Sequence, residues 1–194
     1  MGKFKKFLGK TCLKLGGWTP VGDIPADVQK CVVIEAPHTA IQDFFVGIAY
    51  FWYIERSVSI MMKVEFFKTP IMSFLLKKLG GIPVNRGHRN NMVEKMNQEF
   101  ASHEKMNLVI CPEATRKKVD RWKKGFYLIA EGANVPVALG FIDYQKKTCG
   151  VGRMMTITGD YDKDLAEIWD FYKDIKAKHP ENFNLDEQYR TQEH

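Results

Sequence analysis

Apolar residues along the chain keep two rhythms. Short, nearly uncharged runs, KCVVIEA (30–36), Val58–Met62, Ile82–Val84, Leu108–Cys111 and Val135–Ile142, alternate with longer segments whose apolar positions repeat at helical spacing. Such short runs bounded by turn-forming residues predict buried strands. Helices are predicted over Asp43–Glu55, Pro70–Leu79, Asn90–His103, Lys124–Glu131 and Asp164–Lys176. Pro70 suits a first helical turn, while Gly80-Gly81 and Gly132 suit helix ends. After Val135–Ile142 a hairpin is expected, through Cys149–Arg153 to Thr158. Strand–helix alternation predicts a single α/β domain with a mostly parallel or mixed central sheet flanked by helices, antiparallel at one edge.

The opening MGKFKKFLGKTCLKLGGW breaks this rhythm. At helical spacing Phe4, Phe7, Leu8 and Leu15 share one face, Lys3, Lys6, Lys10 and Lys14 share another, and no acidic residue precedes Asp23. A basic amphipathic helix of this kind either packs its Phe/Leu face on its own domain or lies in the plane of an anionic membrane surface, and five lysines without a carboxylate favour the membrane. Residues 1–18 are therefore expected to be an interfacial helix, with Phe4, Phe7 and Leu8 inserting and Lys3, Lys6 and Lys10 meeting headgroups. Residues 19–178 would form the main domain and 179–194 a polar tail. The longest charge-free apolar stretch, FFVGIAYFWYI (44–54), is about half of the roughly 20 residues that span a bilayer. The expectation is a peripheral protein on the cytoplasmic membrane face, without a transmembrane helix.

Charge sharpens this picture. The net charge is +6, but from Asp160 onward 5 Lys/Arg face 10 Asp/Glu, so the preceding 159 residues carry +11. A basic body favours an anionic partner. Nucleic acid is not expected, because single-strand binders interleave aromatics with basic residues on an exposed face, and here the aromatics sit in core-like runs. The four cysteines are scattered and form no CxxC pair, so neither zinc nor a disulfide framework is expected.

In α/β sheets chemistry gathers in the loops after the carboxyl ends of strands. Three such loops carry unusual residues: APHTAIQD after the first strand, NRGHR after Ile82–Val84, and PEATRKK after LVIC. His38 and Asp43 would point about 140° apart on one helix, but they meet if His38 lies in the loop and Asp43 opens the helix. A carboxylate that fixes the tautomer of an imidazole prepares it as a general base.

His38-x4-Asp43, then Gly81-x4-Arg86 in GGIPVNRG, then PEATR (112–116), then VPV (135–137), resemble in this order the four motif blocks of the glycerolipid acyltransferases, whose best-known members are the 1-acyl-sn-glycerol-3-phosphate acyltransferases. The resemblance spans roughly residues 30–140 and includes MKVEFFKTPIMSFLLKKLGGIPVNR before the second block. It implies transfer of an acyl group from acyl-CoA or acyl carrier protein to a lysophospholipid hydroxyl, by direct attack and with no cofactor or metal. It implies His38 as base and Asp43 as its orienting partner. It also implies Arg86 on the acceptor phosphate, Glu113, Thr115 and Arg116 in the acceptor site, and Lys63 as a further phosphate contact.

Two departures stand out: Ala114 replaces the usual Gly, and Cys111 replaces a common aromatic. If position 114 needs a positive φ, its methyl group costs stability and shifts acceptor preference. A lyso-aminolipid acceptor, or a non-catalytic lipid-binding role, are the competing readings.

Overall fold

The structure, a computed structural model, describes residues 2–84 and 89–185, with the backbone alone for 89–91. Among the described residues, seven strands form one sheet: β1 (Thr19–Val21), β2 (Lys30–Glu35), β3 (Ser59–Lys63), β4 (Gly81–Val84), β5 (Met106–Ile110), β6 (Val137–Asp143) and β7 (Thr148–Met155). Their spatial order is β1-β7-β6-β2-β5-β3-β4. β6, β2, β5, β3 and β4 are mutually parallel, β7 runs antiparallel to β6, and β1 is parallel to β7. The helices are α1 (Lys3–Leu15), α2 (Gln42–Tyr53), α3 (Pro70–Lys78), α4 (Arg89–Ser102), α5 (Gly125–Ala133) and α6 (Tyr161–Tyr172), with 3₁₀ turns at Val64–Phe67 and Pro180–Asn182.

The strict alternation of a strand divides the core in two. Val32 and Ile34 of β2 point into a cluster with Phe100 of α4, Phe126 and Ile129 of α5, and Ile168 of α6. Cys31 and Val33 point the other way, against Leu13 of α1 and Ala49, Tyr50 and Phe51 of α2. β2 is buried on both sides because it is central, which is why it reads as an unbroken apolar run.

Several boundaries differ from expectation. β1 is only three residues long and contains Pro20, which a sheet tolerates at its edge. α5 runs past Gly132 and stops at Asn134, whose φ of 51° lets it close the helix left-handed in place of a glycine. The return after β6 turns at 144–147, so Cys149–Arg153 is the body of β7 and not the turn. Residues 179–185 join the domain: Asn184 and Leu185 are buried, and the Phe183 ring lies 6.5 Å from that of Trp122. Any polar tail thus begins beyond residue 185, outside the described residues.

α1 docks on α2 through its smallest residue. A Cβ at Gly9 would stand 2.5 Å from the Ala49 carbonyl and 2.7 Å from the Tyr53 amide, so the two backbones touch. Leu13 is buried beside it and Leu8 is half-buried, while Phe4, Phe7 and Leu15 stay exposed. Of the residues expected at a membrane, Leu8 thus faces its own domain in part. Lys6 reaches back to Glu55 at 2.8 Å, an exposed pair of little energetic weight, and Lys3 and Lys10 point into solvent.

Gly9→Val is expected to cost about 1–3 kcal/mol in urea unfolding, as overpacking does, whereas Phe7→Ser, at an exposed position, stays within about 0.5 kcal/mol.

Candidate active site

The chain leaves β2 at Glu35, passes through the loop holding His38, and enters α2 at Gln42, with Asp43 in its first turn. An acidic side chain is favoured there by the unpaired amides and the positive end of the helix dipole. Asp43 uses that position to fold the loop back on itself: Oδ2 accepts the Thr39 and Ala40 amides at 2.9 Å each. Oδ1 accepts the Tyr144 hydroxyl at 2.7 Å. His38 Nδ1 lies 3.2 Å from Oδ2, close enough for an ion pair but not aligned as a hydrogen bond. Catalytic hydrogen bonds are often this loosely aligned outside the reacting complex. Burial pushes the Asp43 carboxyl up, but His38, Tyr144 and the Ala40 amide outweigh it and hold the group below the usual carboxylate range. Tyr144, kept protonated by burial and by Asp43, is braced edge-on by Trp18, with ring centroids 5.0 Å apart. The His38 side chain keeps 21% of its surface exposed, so its outer edge meets solvent while its inner edge meets the acid.

Two more carboxyls lie beneath this pair. Glu113, from the loop after β5, accepts the His38 amide at 3.0 Å through Oε1, while its buried Oε2 has no hydrogen-bond partner. Burial lifts its pKa to about 7, with Asp43 adding to the effect. Glu35, at the end of β2, is pushed well above its ordinary range by burial and by the charges of Asp43 and Glu113. One carboxylate of the three is fully supplied with donors, and that one keeps its charge. Glu113, expected in the acceptor site, is 3% exposed and anchors the His38 backbone from below.

The remaining expected residues fall into three groups. Thr115 and Arg116 line a cleft of about 450 Å³ together with Thr39–Gln42, Lys117 and His179, beside the start of α2. Arg116 and Lys117 at a helix N-terminus make this cleft suited to an anion. Lys63 ends β3, two strands from β2 on the same edge of the sheet, and is exposed. Arg86 lies outside the described residues. Ala114 has a φ of 57°, the left-handed conformation that a glycine adopts freely. The spacing of motifs gave no hint of Tyr144, which sits 101 residues from Asp43, or of His179 in the cleft. No group of three or more His, Cys, Asp or Glu among the described residues could hold a metal ion.

A family model described as Acyltransferase matches residues 23–138, more than half of the chain. The chain belongs to the acyltransferase family. The fold is similar to that of the crystal structure of the 1-acyl-sn-glycerophosphate (LPA) acyltransferase PlsC from Thermotoga maritima, with a TM-score of 0.58 at 15% identity over 88% of this chain and 76% of that one. Comparison with curated protein sequences finds no match. In this acyltransferase the matched span holds His38, Asp43, Glu113 and Ala114 but stops short of Tyr144 and His179, which the fold adds from β7's side of the sheet and from the segment after α6.

The folded chain holds at Glu113 a proton that the unfolded chain releases between pH 4.5 and about 7. Stability at this group therefore falls as pH rises through that window, by on the order of 3 kcal/mol, and stays lost above it. Glu113→Gln is expected to flatten this part of the pH profile of Tm, leaving the contribution of Glu35. Ala114→Gly is expected to raise stability by about 0.5–1 kcal/mol in urea unfolding, because it removes the left-handed strain.

Proposed function

We propose that this acyltransferase moves a fatty acyl group from an acyl thioester, acyl-CoA or acyl carrier protein, to the free hydroxyl of 1-acyl-sn-glycerol-3-phosphate at a membrane surface. The observation that carries the reading is the His38–Asp43 pair at the carboxyl edge of the sheet, with every oxygen of the acid supplied and one edge of the imidazole free. In the proposed reaction Nε2 takes the proton of the acceptor hydroxyl as its oxygen attacks the thioester carbonyl. Asp43 holds the proton on Nδ1 and stabilises the imidazolium. The C–S bond then breaks, and the imidazolium returns the proton to the departing thiolate. No covalent acyl-enzyme is needed. The acceptor phosphate would occupy the cleft of Arg116 and Lys117, where planar guanidinium donors and the α2 N-terminus suit a phosphomonoester. Arg86 and Lys63 remain candidates for the same anion. The exposed Phe4, Phe7, Lys3 and Lys10 of α1 would hold the chain at an anionic lipid layer.

The left-handed Ala114, next to Thr115 and Arg116, favours one variation: an acceptor whose headgroup differs from a simple phosphate, such as a lyso-aminolipid. The test supplies lysophosphatidic acid in liposomes, with labelled acyl-CoA or acyl carrier protein. Wild type should form phosphatidic acid. His38→Ala should lose about 10²–10⁴ in rate, the range of general-base catalysis. Tyr144→Phe should lower kcat about tenfold with KM unchanged, since it weakens the posture of Asp43 and not the acceptor's seat. Arg116→Ala should raise KM for lysophosphatidic acid about tenfold or more. Full activity in His38→Ala would refute the mechanism. Turnover of lyso-aminolipids alone, indifferent to Arg116→Ala, would replace the acceptor.

A further inference from the structure

α3 differs from its neighbours in burying no residue at all. The helices α1, α2, α4, α5 and α6 each bury at least two. Yet α3 is strongly apolar, with Ile71 77% exposed and Phe74 58%, and with Met72 and Leu75 also exposed. The 3₁₀ turn before it adds exposed Val64 and Phe66. Leaving so many large apolar groups in water is unfavourable, and a contiguous patch of them marks a contact surface.

The side of the sheet on which α3 lies can be read from its docking. A Cβ at Gly81 would stand 2.8 Å from the Leu76 carbonyl and 3.1 Å from both the Phe67 ring and the Met62 sulfur. Met61 packs into the cluster formed with α4, α5 and α6, so Met62 and α3 lie on the opposite face. That is the face α1 and α2 cover. The connections β2–α2–β3 and β3–α3–β4 both step the same way across the sheet, and right-handed crossovers also set both helices on one face. The exposed Phe4 and Phe7 of α1, Phe45 of α2 and the apolar side chains of α3 therefore belong to one layer.

Charge identifies the occupant. Lys63, Lys68, Lys77 and Lys78 border the patch against a single acidic residue, Glu65, and the Lys78 ammonium sits 4.6 Å from the Phe74 ring centroid. Two copies meeting through this patch would oppose like charges, whereas anionic headgroups complement the lysines around inserted apolar side chains. We propose that the Val64–Phe67 turn and α3 form a second membrane-inserting element, seated in an anionic phospholipid surface in the same layer as α1. The turn follows the carboxyl end of β3, on the edge of the sheet that carries His38. Contact there would open the site toward lipid and not toward bulk water, which deepens the proposed function.

The test uses the full chain and phosphatidylcholine vesicles with or without phosphatidylglycerol, and no substrate, so vesicle binding is scored apart from catalysis. Wild type and His38→Ala should partition alike, with a preference for phosphatidylglycerol. Ile71→Glu/Phe74→Glu should lower the partition coefficient about tenfold or more while Tm is unchanged, because both side chains are exposed. Lys77→Ala/Lys78→Ala should reduce the phosphatidylglycerol preference. A polarity-sensitive dye on Phe74→Cys should shift to the blue with these vesicles. The proposal is overturned if wild type does not bind them, or if Ile71→Glu/Phe74→Glu binds as wild type does. It is also overturned if that variant instead dissociates a dimer seen by light scattering while vesicle binding persists. Loss of acyl transfer with α3-dependent binding intact would count against the catalytic reading alone.

Discussion

A carboxylate taken out of water must find donors for its lone pairs or give up its charge. Asp43 solves this with two amides of its own loop, a tyrosine hydroxyl from the loop after the neighbouring strand β6, and a histidine five positions earlier. The loop can only take the shape that brings the Thr39 and Ala40 amides to Oδ2, and that shape fixes where His38 stands. The anion therefore organises the site before it assists any chemistry. Glu35 and Glu113, buried nearby with fewer donors, hold their protons more tightly. The protons they hold, that of Glu113 below about pH 7, limit the negative charge behind the histidine, and Glu113 still lends its Oε1 to the His38 backbone.

The sheet sets these groups at one edge. β2 and β5 are adjacent and parallel, so the loops after them open side by side, one bringing His38 and Asp43 and the other Glu113, Thr115 and Arg116. The cleft beside the start of α2 is polar and basic, while the layer made of α1, α2 and α3 offers exposed aromatic and aliphatic side chains. A ligand with an anionic head and an apolar tail matches that division.

Much of this was legible in the sequence. The central strands announced themselves because strands buried on both faces read as continuous apolar runs, and Asp43 read as a helix-opening residue because its amide partners are local. The residue that usually stands at position 114 raised a positive φ as one possibility, and Ala114 adopts it. What escaped depends on contacts distant in sequence. β1 exists only through pairing with β7, and a three-residue stretch with a proline carries no periodicity of its own. By helical spacing Leu8 shares the outward face with Phe4 and Phe7, but the helix turns to bring Gly9 onto α2, a choice made by the partner backbone. Tyr144 looks like an ordinary turn residue until the hairpin carries it to Asp43. Glu113 kept its place in the motif but faces inward, which spacing cannot express.

The contact between Trp18 and Tyr144 ties the two ends of this arrangement together. Trp18 is the residue at which the chain leaves α1 and its glycine stop, and it braces the ring whose hydroxyl holds Asp43, with the Lys147 ammonium near both rings, 4.5 Å from the indole centroid and 5.6 Å from that of Tyr144. The N-terminal segment thus supports the site from behind as well as being a surface feature. Removing it would take away a buttress three contacts from the imidazole, and the loss would be felt even by a substrate dissolved singly in water.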